Sequence, residues 1–222
     1  MLENLAQRIE HTCLKPSAGY RDIENLCREA LESNLYGVCV AGSYIETARN
    51  LLKGSPVKII TVCGFPHGNM QAEAKRQELI ALIEAGADEI DIVLGWGKLK
   101  DARFAEIEAE LKTLAESKSD KLLKLIIETS ELSDSEKEKA CLLAKNAGFD
   151  FVKTSTGFAS GGAIAADIRL MRKIIGPKMG IKASGGVKTW AAAAELIAAG
   201  ADRFGSSASL SILKEWKEQK SA

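Results

Sequence analysis

One lysine lies in the run Phe149-Asp-Phe-Val-Lys-Thr-Ser-Thr-Gly157, between an apolar segment and a turn of small residues. Strand side chains alternate faces, so Phe149, Phe151 and Lys153 are expected on one side, Val152 and Thr154 on the other. An ammonium beside two phenylalanines is costly unless it is paired or neutral. Desolvation or a nearby cation lowers a lysine's pKa, and the free amine is a nucleophile for carbonyls. Lys153 has company: Lys124 lies 29 residues before it and Lys182 lies 29 residues after it, each in a short apolar run. Asp91 sits in an earlier run, Glu89-Ile-Asp-Ile-Val93.

The chemistry such a set could do is imine chemistry. Lys182 near Lys153 disfavours protonation of both, so one is expected as a free amine near neutral pH. That amine can condense with an aldehyde or ketone. The resulting iminium withdraws electrons, and the adjacent C–C bond can break to leave an enamine. Asp91 is a candidate proton shuttle, directly or through water. This route needs no metal and no cofactor. With only two histidines, His11 and His67, a histidine-rich metal centre is not expected; carboxylate-held Mg²⁺ is left open by composition. His67 reads as a loop side chain, because the lysine scheme leaves it no step.

Something must bring four distant residues together. A repeat supplies it: Ala85-Gly-Ala-Asp88, Ala147-Gly-Phe-Asp150 and Ala199-Gly-Ala-Asp202 each follow a helical pattern and lead into a short strand. The glycine suits a left-handed helix stop. Helix, glycine, strand and small-residue loop make the unit of a parallel sheet. Strands are predicted near 9–14, 36–41, 57–63, 88–94, 121–128, 149–154, 180–183 and 202–205. Helices are predicted near 20–33, 70–85, 100–117, 133–147, 163–175, 188–199 and 206–217. Eight strands separated by helices define an α/β fold, a (β/α)₈ barrel. The alternative is an open doubly wound sheet, but no GxGxxG follows an early strand. Met1 to Arg8 reads as a short extra N-terminal helix without the apolar core of a signal peptide.

Alternation assigns the faces. Ile90, Ile92 and Leu94 should face the helices, and Glu89, Asp91 and Val93 the interior. Leu123, Leu125 and Ile127 face outward, and Lys124, Ile126 and Glu128 inward. Ile181 and Ala183 face outward and Lys182 inward; Val38 and Val40 face outward and Cys39 inward. Asp91, Lys124, Lys153 and Lys182 then lie on four consecutive strands, near the C-terminal ends where barrel sites are built. Buried charges demand partners, so a set of this size reads as a site. Lys124 and Cys39 are further candidates beside the central three, although a cysteine there also suits plain packing.

Three loops have the make-up of an anion site: Thr154-Ser-Thr-Gly157, Ser184-Gly-Gly186 and Gly205-Ser-Ser207. Small residues let backbone N–H groups approach an oxyanion, and the following helix N-termini add positive potential. Thr154, Gly157, Gly185, Gly186, Gly205 and Ser207 are the candidates for holding a phosphate.

The totals agree with a single enzyme domain over 1–222. Basic and acidic residues balance at 30 each, which favours neither nucleic acid nor an anionic membrane. No apolar run reaches membrane-spanning length. Five cysteines without a CxxC pair suit reduced thiols in the cytoplasm.

Taken together, Phe151-Val-Lys-Thr-Ser-Thr-Gly-Phe158, Gly180-Ile-Lys-Ala-Ser-Gly-Gly-Val187, Gly86-Ala-Asp-Glu-Ile-Asp-Ile-Val93 and Leu122-Leu-Lys-Leu-Ile-Ile-Glu-Thr129 closely resemble the deoxyribose-phosphate aldolase family. His11-Thr-Cys-Leu-Lys-Pro16 and Arg203-Phe-Gly-Ser-Ser207 are similar to it too. The resemblance spans nearly the whole chain, in order. It implies a class I aldolase that cleaves 2-deoxy-D-ribose 5-phosphate to D-glyceraldehyde 3-phosphate and acetaldehyde, and usually a homodimer or larger assembly. It implies Lys153 as the Schiff-base lysine, Lys182 as the lysine that lowers its pKa and Asp91 as the proton-relay acid. It also puts Gly157, Gly185, Gly186, Gly205 and Ser207 at the phosphate.

Departures fall in other loops. Cys39-Val-Ala-Gly42 stands where the family usually has Cys-Val-Asn-Pro, Phe65-Pro-His-Gly68 where it often has Phe-Pro-Leu-Gly, and Gly95-Trp-Gly97 where it commonly has Asn-Ile-Gly. Glu10 replaces an aspartate, Ala208 a serine, and no tyrosine follows Tyr44. These changes bear on the acceptor. The competing readings are a related Schiff-base aldolase with another acceptor, and a non-aldolase phosphate-binding barrel.

Overall fold

The computed structural model describes residues 4–221. Eight parallel strands close in chain order into a barrel: β1 (Ile9–Cys13), β2 (Gly37–Val40), β3 (Lys58–Cys63), β4 (Glu89–Val93), β5 (Leu122–Ile126), β6 (Phe151–Lys153), β7 (Gly180–Ala183) and β8 (Arg203–Ser206). The helices around it are α1 (Tyr20–Glu32), α2 (Ile45–Leu51), α3 (Ala72–Ala85), α4 (Trp96–Lys100), α5 (Phe104–Glu116), α6 (Asp134–Ala147), α7 (Ala165–Ile175), α8 (Trp190–Ala198) and α9 (Ser209–Ser221). No helix among the described residues is long and apolar enough to cross a membrane.

The Ala-Gly-x-Asp repeat does more than stop helices. Gly86, Gly148 and Gly200 do take positive φ. The aspartate that follows each then grips the preceding strand twice. Asp88 donates its N–H to the Ile59 carbonyl and accepts the Ile59 N–H on its carboxylate, both at 2.8 Å. Asp150 does the same to Leu123, at 3.0 and 2.9 Å, and Asp202 to Ile181, at 2.9 and 2.7 Å. Each clamp sets the register of an odd strand against its even neighbour. Register decides which face every side chain takes, since a one-residue slip inverts the pattern. The clamped β5–β6 register pairs Ile126 with Lys153, and the neighbouring β4–β5 and β6–β7 pairings set Asp91 beside Lys124 and Lys153 beside Lys182.

Two apolar layers result. The larger lies between barrel and helices and holds Val38, Val40, Ile90, Ile92, Leu94, Leu123, Leu125, Ile127, Ile181 and Ala183, the residues alternation directs outward. A small inner cluster of Cys39, Ile60 and Val62, with Leu14, Tyr36 and Phe65 against it, fills part of the interior. Phe149 departs from expectation. It sits in the turn before β6, its N–H bonded to the Ala144 carbonyl, and packs in the outer layer rather than beside Lys153.

Three other elements differ from the sequence reading. α2 follows a 3₁₀ turn at Gly42–Tyr44, in a stretch for which no helix was predicted. The helix expected over 100–117 is two, α4 and α5, broken where Ala102 takes a φ of 53°. In the expected N-terminal helix, residues 1–3 lie outside the described residues, and Ala6–Arg8 forms one 3₁₀ turn.

Candidate active site

Carboxylates and cations meet inside the barrel, and Asp91 is their hub. Its Oδ2 accepts from Lys153 Nζ at 2.8 Å and from Lys182 Nζ at 2.5 Å, and its Oδ1 accepts from Lys124 Nζ at 2.9 Å. Lys124 also contacts Glu89 at 2.6 Å and Glu10 at 3.5 Å. Glu89 takes Arg203 on both oxygens, at 3.0 and 2.8 Å, and the Tyr36 hydroxyl on one of them. Glu10 accepts a hydrogen bond from Lys182. Arg203 is held between two rings, 3.9 Å from the centre of Tyr36 and 4.6 Å from that of Phe151.

This network contains Glu10, Glu89 and Asp91 against Lys124, Lys153, Lys182 and Arg203: three carboxylates and four bases. Fully ionised, it would bury one uncompensated positive charge. A neutral amine at one lysine removes the excess, and the surroundings single out Lys153. Among the described residues its Nζ has one hydrogen-bond acceptor, Asp91 Oδ2, shared with Lys182. Burial lowers the Lys153 pKa; Asp91 pulls it back up, and Lys182 pushes it further down. Burial acts on Lys182 too, but Asp91 and Glu10 together raise its pKa. Against its own desolvation, Asp91 is held well below the usual carboxylate range by Lys124, Lys153 and Lys182. Lys182 thus disfavours the Lys153 ammonium, while Asp91 and Glu10 outweigh burial at Lys182 and favour its own charge; burial is the largest influence on Lys153.

The cleft above the network has a volume of about 380 Å³. Lys153 and Lys182 reach its floor, while Thr12, Cys13, Leu14, Lys15, Thr156, Phe158 and Lys188 line its walls with the small-residue loops. Gly157, Gly185, Gly186, Gly205 and Ser207 all line it. Glycine at 205 has a steric reason: a Cβ there would lie 3.3 Å from Lys182 Cε, crowding the lysine.

Thr154 does not join them. Its hydroxyl donates to the Ser184 carbonyl at 2.9 Å and accepts from the Ser184 N–H at 3.0 Å, facing away from the cleft as strand parity requires. Asp91, Lys124 and Cys39 lie fully buried below the cleft. Burial, the largest influence, raises the Cys39 thiol pKa. His11 points outward to Glu29 at 2.8 Å, and His67 is exposed on the loop after β3.

Glu10, Glu89 and Arg203 were absent from the sequence-derived candidates as network members, as were Lys15 and Lys188 at the rim. Glu89 had been placed inward by alternation. Glu10 faces Gly205 across the β1–β8 pairing, which exists only in the closed barrel, and Arg203 faces Lys182 across β7–β8. Among the described residues, no group of three or more His, Cys, Asp and Glu is arranged to hold a metal ion.

A parallel eight-stranded barrel with buried lysines at its C-terminal mouth, next to a polar cleft edged by small-residue loops, is the architecture of a barrel enzyme. Comparison with known proteins narrows the class. The model of the DeoC/LacD family aldolase matches residues 4–215, and the chain belongs to that family. It is 50% identical over 211 residues to a deoxyribose-phosphate aldolase of Clostridium perfringens, covering 95% of this chain and 94% of that one. To the enzyme of the same name from Thermotoga petrophila it is 45% identical over 218 residues, covering 98% and 88%. The solved deoxyribose phosphate aldolase of Aeropyrum pernix, described as tetrameric, superposes with a TM-score of 0.89 at 31% identity, covering 97% of this chain and 92% of that one.

Proposed function

We propose that the protein is a deoxyribose-phosphate aldolase that works through a Schiff base on Lys153. The observation that carries this reading is the single, shared acceptor of the buried Lys153 amine, within a network one cation in excess. Full-length relatives of that name at 45–50% identity support the substrate.

The neutral amine attacks C1 of the open-chain sugar, and loss of water gives the iminium. The C2–C3 bond electrons move into it as the C3 hydroxyl gives up its proton, so the three-carbon fragment leaves as glyceraldehyde 3-phosphate. The enamine is protonated at C2, and water releases acetaldehyde from Lys153. Proton traffic runs through Lys182, which touches both the cleft and the Asp91–Glu10 carboxylates. Asp91 does not line the cleft, so its role as relay acid is exercised through Lys182 or water.

The phosphate binds among the Gly157, Gly185–Gly186 and Gly205–Ser207 loops, with Lys15 and Lys188 adding positive charge at the rim. The reading extends to a homo-oligomer in the cytoplasm. The tetrameric Aeropyrum pernix relative supports the first part, and five buried free cysteines suit the second.

The test is turnover of deoxyribose 5-phosphate, followed by coupled detection of glyceraldehyde 3-phosphate, beside deoxyribose. Cleavage with a kcat/KM strongly favouring the phosphorylated sugar is expected, because remote binding energy is used at the reacting carbon. Equal kcat/KM for the two sugars would remove the phosphate assignment, and no cleavage of either would remove the reaction.

A further inference from the structure

Two loops meet over the barrel mouth. One follows β3 and carries Phe65; the other follows β6 and carries Phe158. Their strands are three steps apart around the barrel. The two rings are in edge-to-face contact, with centroids 5.3 Å apart and planes at 87°. Edge-to-face is a favoured geometry for paired aromatic rings. Yet Phe158 remains 48% exposed. An aromatic ring held half in solvent at a cleft wall calls for an explanation.

Each loop is braced from behind by buried charge. On the β3 side, α3 holds both ends of the turn: Glu78 accepts the Gly64 N–H at 2.8 Å, and the fully buried Lys75 donates to the Gly68 carbonyl at 3.0 Å. Gly68 has a φ of 68°, and a Cβ there would lie 2.3 Å from the Leu94 carbonyl oxygen, so the turn is seated directly on the end of β4. On the β6 side, Glu128 is buried in a left-handed conformation (φ 58°), which is strained for glutamate. Its Oε2 accepts the Thr156 N–H at 3.0 Å and the Thr156 hydroxyl at 2.5 Å. The same hydroxyl accepts the Phe158 N–H at 3.1 Å. Both rings are thus presented on rigid supports.

The pair separates two environments. Phe158 lines the cleft with Lys153 and the phosphate loops. Phe65 packs on the inner cluster of Cys39, Ile60 and Val62, and Cys39 is within electrostatic reach of Lys153 and Lys182. Under the Schiff-base reading, on which this inference rests, the phosphate end of the substrate points to the glycine loops, and the two-carbon fragment stays on Lys153 in the cleft that Phe158 lines.

We propose that the Phe65–Phe158 bridge sets the donor size of the enzyme: it roofs the two-carbon fragment on Lys153 and excludes longer carbonyl donors. An extra methylene in a tight apolar site changes selectivity by about 10–200-fold.

The test is trapping by borohydride with acetaldehyde or propanal, reading the initial rate of adduct formation on Lys153 by mass spectrometry. In Phe158→Ala, and separately in Phe65→Ala, the propanal-to-acetaldehyde ratio of rates should rise about tenfold over the parent. The preference for deoxyribose 5-phosphate over deoxyribose should stay within about twofold. Phe158 is half exposed, so its variant tests the idea even if loss of Phe65 disturbs folding. Unchanged donor ratios, with Lys153 still trapped, overturn the bridge and leave the aldolase reading intact. A fall in phosphate preference at an unchanged donor ratio also overturns it, assigning Phe158 to the phosphate end. No adduct on Lys153 of the parent overturns both readings.

Discussion

Lys75 and Lys153 are both buried lysines near the C-terminal ends of barrel strands, and they sit in opposite circumstances. Lys75 lies outside the barrel wall. Its Nζ donates to the Gly68 and Val93 carbonyls, each at 3.0 Å, and to Glu110 at 2.5 Å. An ammonium has three N–H groups, and here all three have an acceptor. Glu110 takes Lys98 at 2.7 Å on its other oxygen, so the carboxylate is fully engaged as well. Lys153, inside the barrel, has one acceptor and shares it. Burial is therefore not what separates a structural lysine from a reactive one. The count of acceptors available to the charged form is. Lys75 has an acceptor for each of its three N–H groups, whereas Lys153 shares a single one with Lys182.

The contrast can be broken at either end. The largest effect expected is from Lys153→Ala, which should reduce turnover to background and abolish trapping, measured by coupled assay and mass spectrometry. Next is Asp91→Asn. It removes the carboxylate proposed as proton relay, so turnover should fall by about 10²–10⁴-fold. It also removes the carboxylate that raises the Lys153 pKa, so trapping with acetaldehyde should extend to more acid pH. A trapping profile that moves alkaline instead would contradict the role given to Asp91.

Lys182→Leu should do the reverse. Lys182 lowers the Lys153 pKa, and its loss leaves Asp91 Oδ2 to Lys153 alone, so both changes stabilise the ammonium. The free amine then requires higher pH. The pH–rate profile should shift alkaline, with activity near neutrality at least about tenfold lower. An unshifted profile would show that Lys182 does not tune its neighbour.

Lys75→Met should leave the imine chemistry in place and cost about 2–4 kcal/mol of stability, read by urea unfolding. The carbonyls and Glu110 lose their shared donor, although Glu110 keeps Lys98. A stability change near zero together with lost trapping would place Lys75 in the site and dissolve the comparison.

The two lysines also differ in how far the sequence reveals them. Lys153 is legible because strand alternation has a period of two and the lysines recur once per strand–helix unit. The eight strands are legible for the same reason, aided by the Ala-Gly-x-Asp repeat, whose aspartates act as register clamps. Lys75 is not. It sits in Ala72-Glu-Ala-Lys-Arg-Gln-Glu78, which reads as a solvated helix start, and its partner Glu110 comes from another helix.

The same limit hides Glu10, whose place depends on barrel closure between β8 and β1, and Arg203, whose partner Glu89 comes from β4. α2 escapes because it is only seven residues long and buries only Ile45 and Ala48. Thr154 was drawn into the phosphate set by its neighbours in the loop, against the parity that puts it opposite Lys153. The Phe65–Phe158 contact joins two loops that no local pattern relates.

Lys153, and no other lysine of the network, is proposed to carry the covalent step. The direct measurement is reduction with borohydride in the presence of acetaldehyde, followed by peptide mass mapping. A two-carbon adduct on Lys153 is the predicted result. An adduct on Lys124 or Lys182, with Lys153 unmodified, would contradict it.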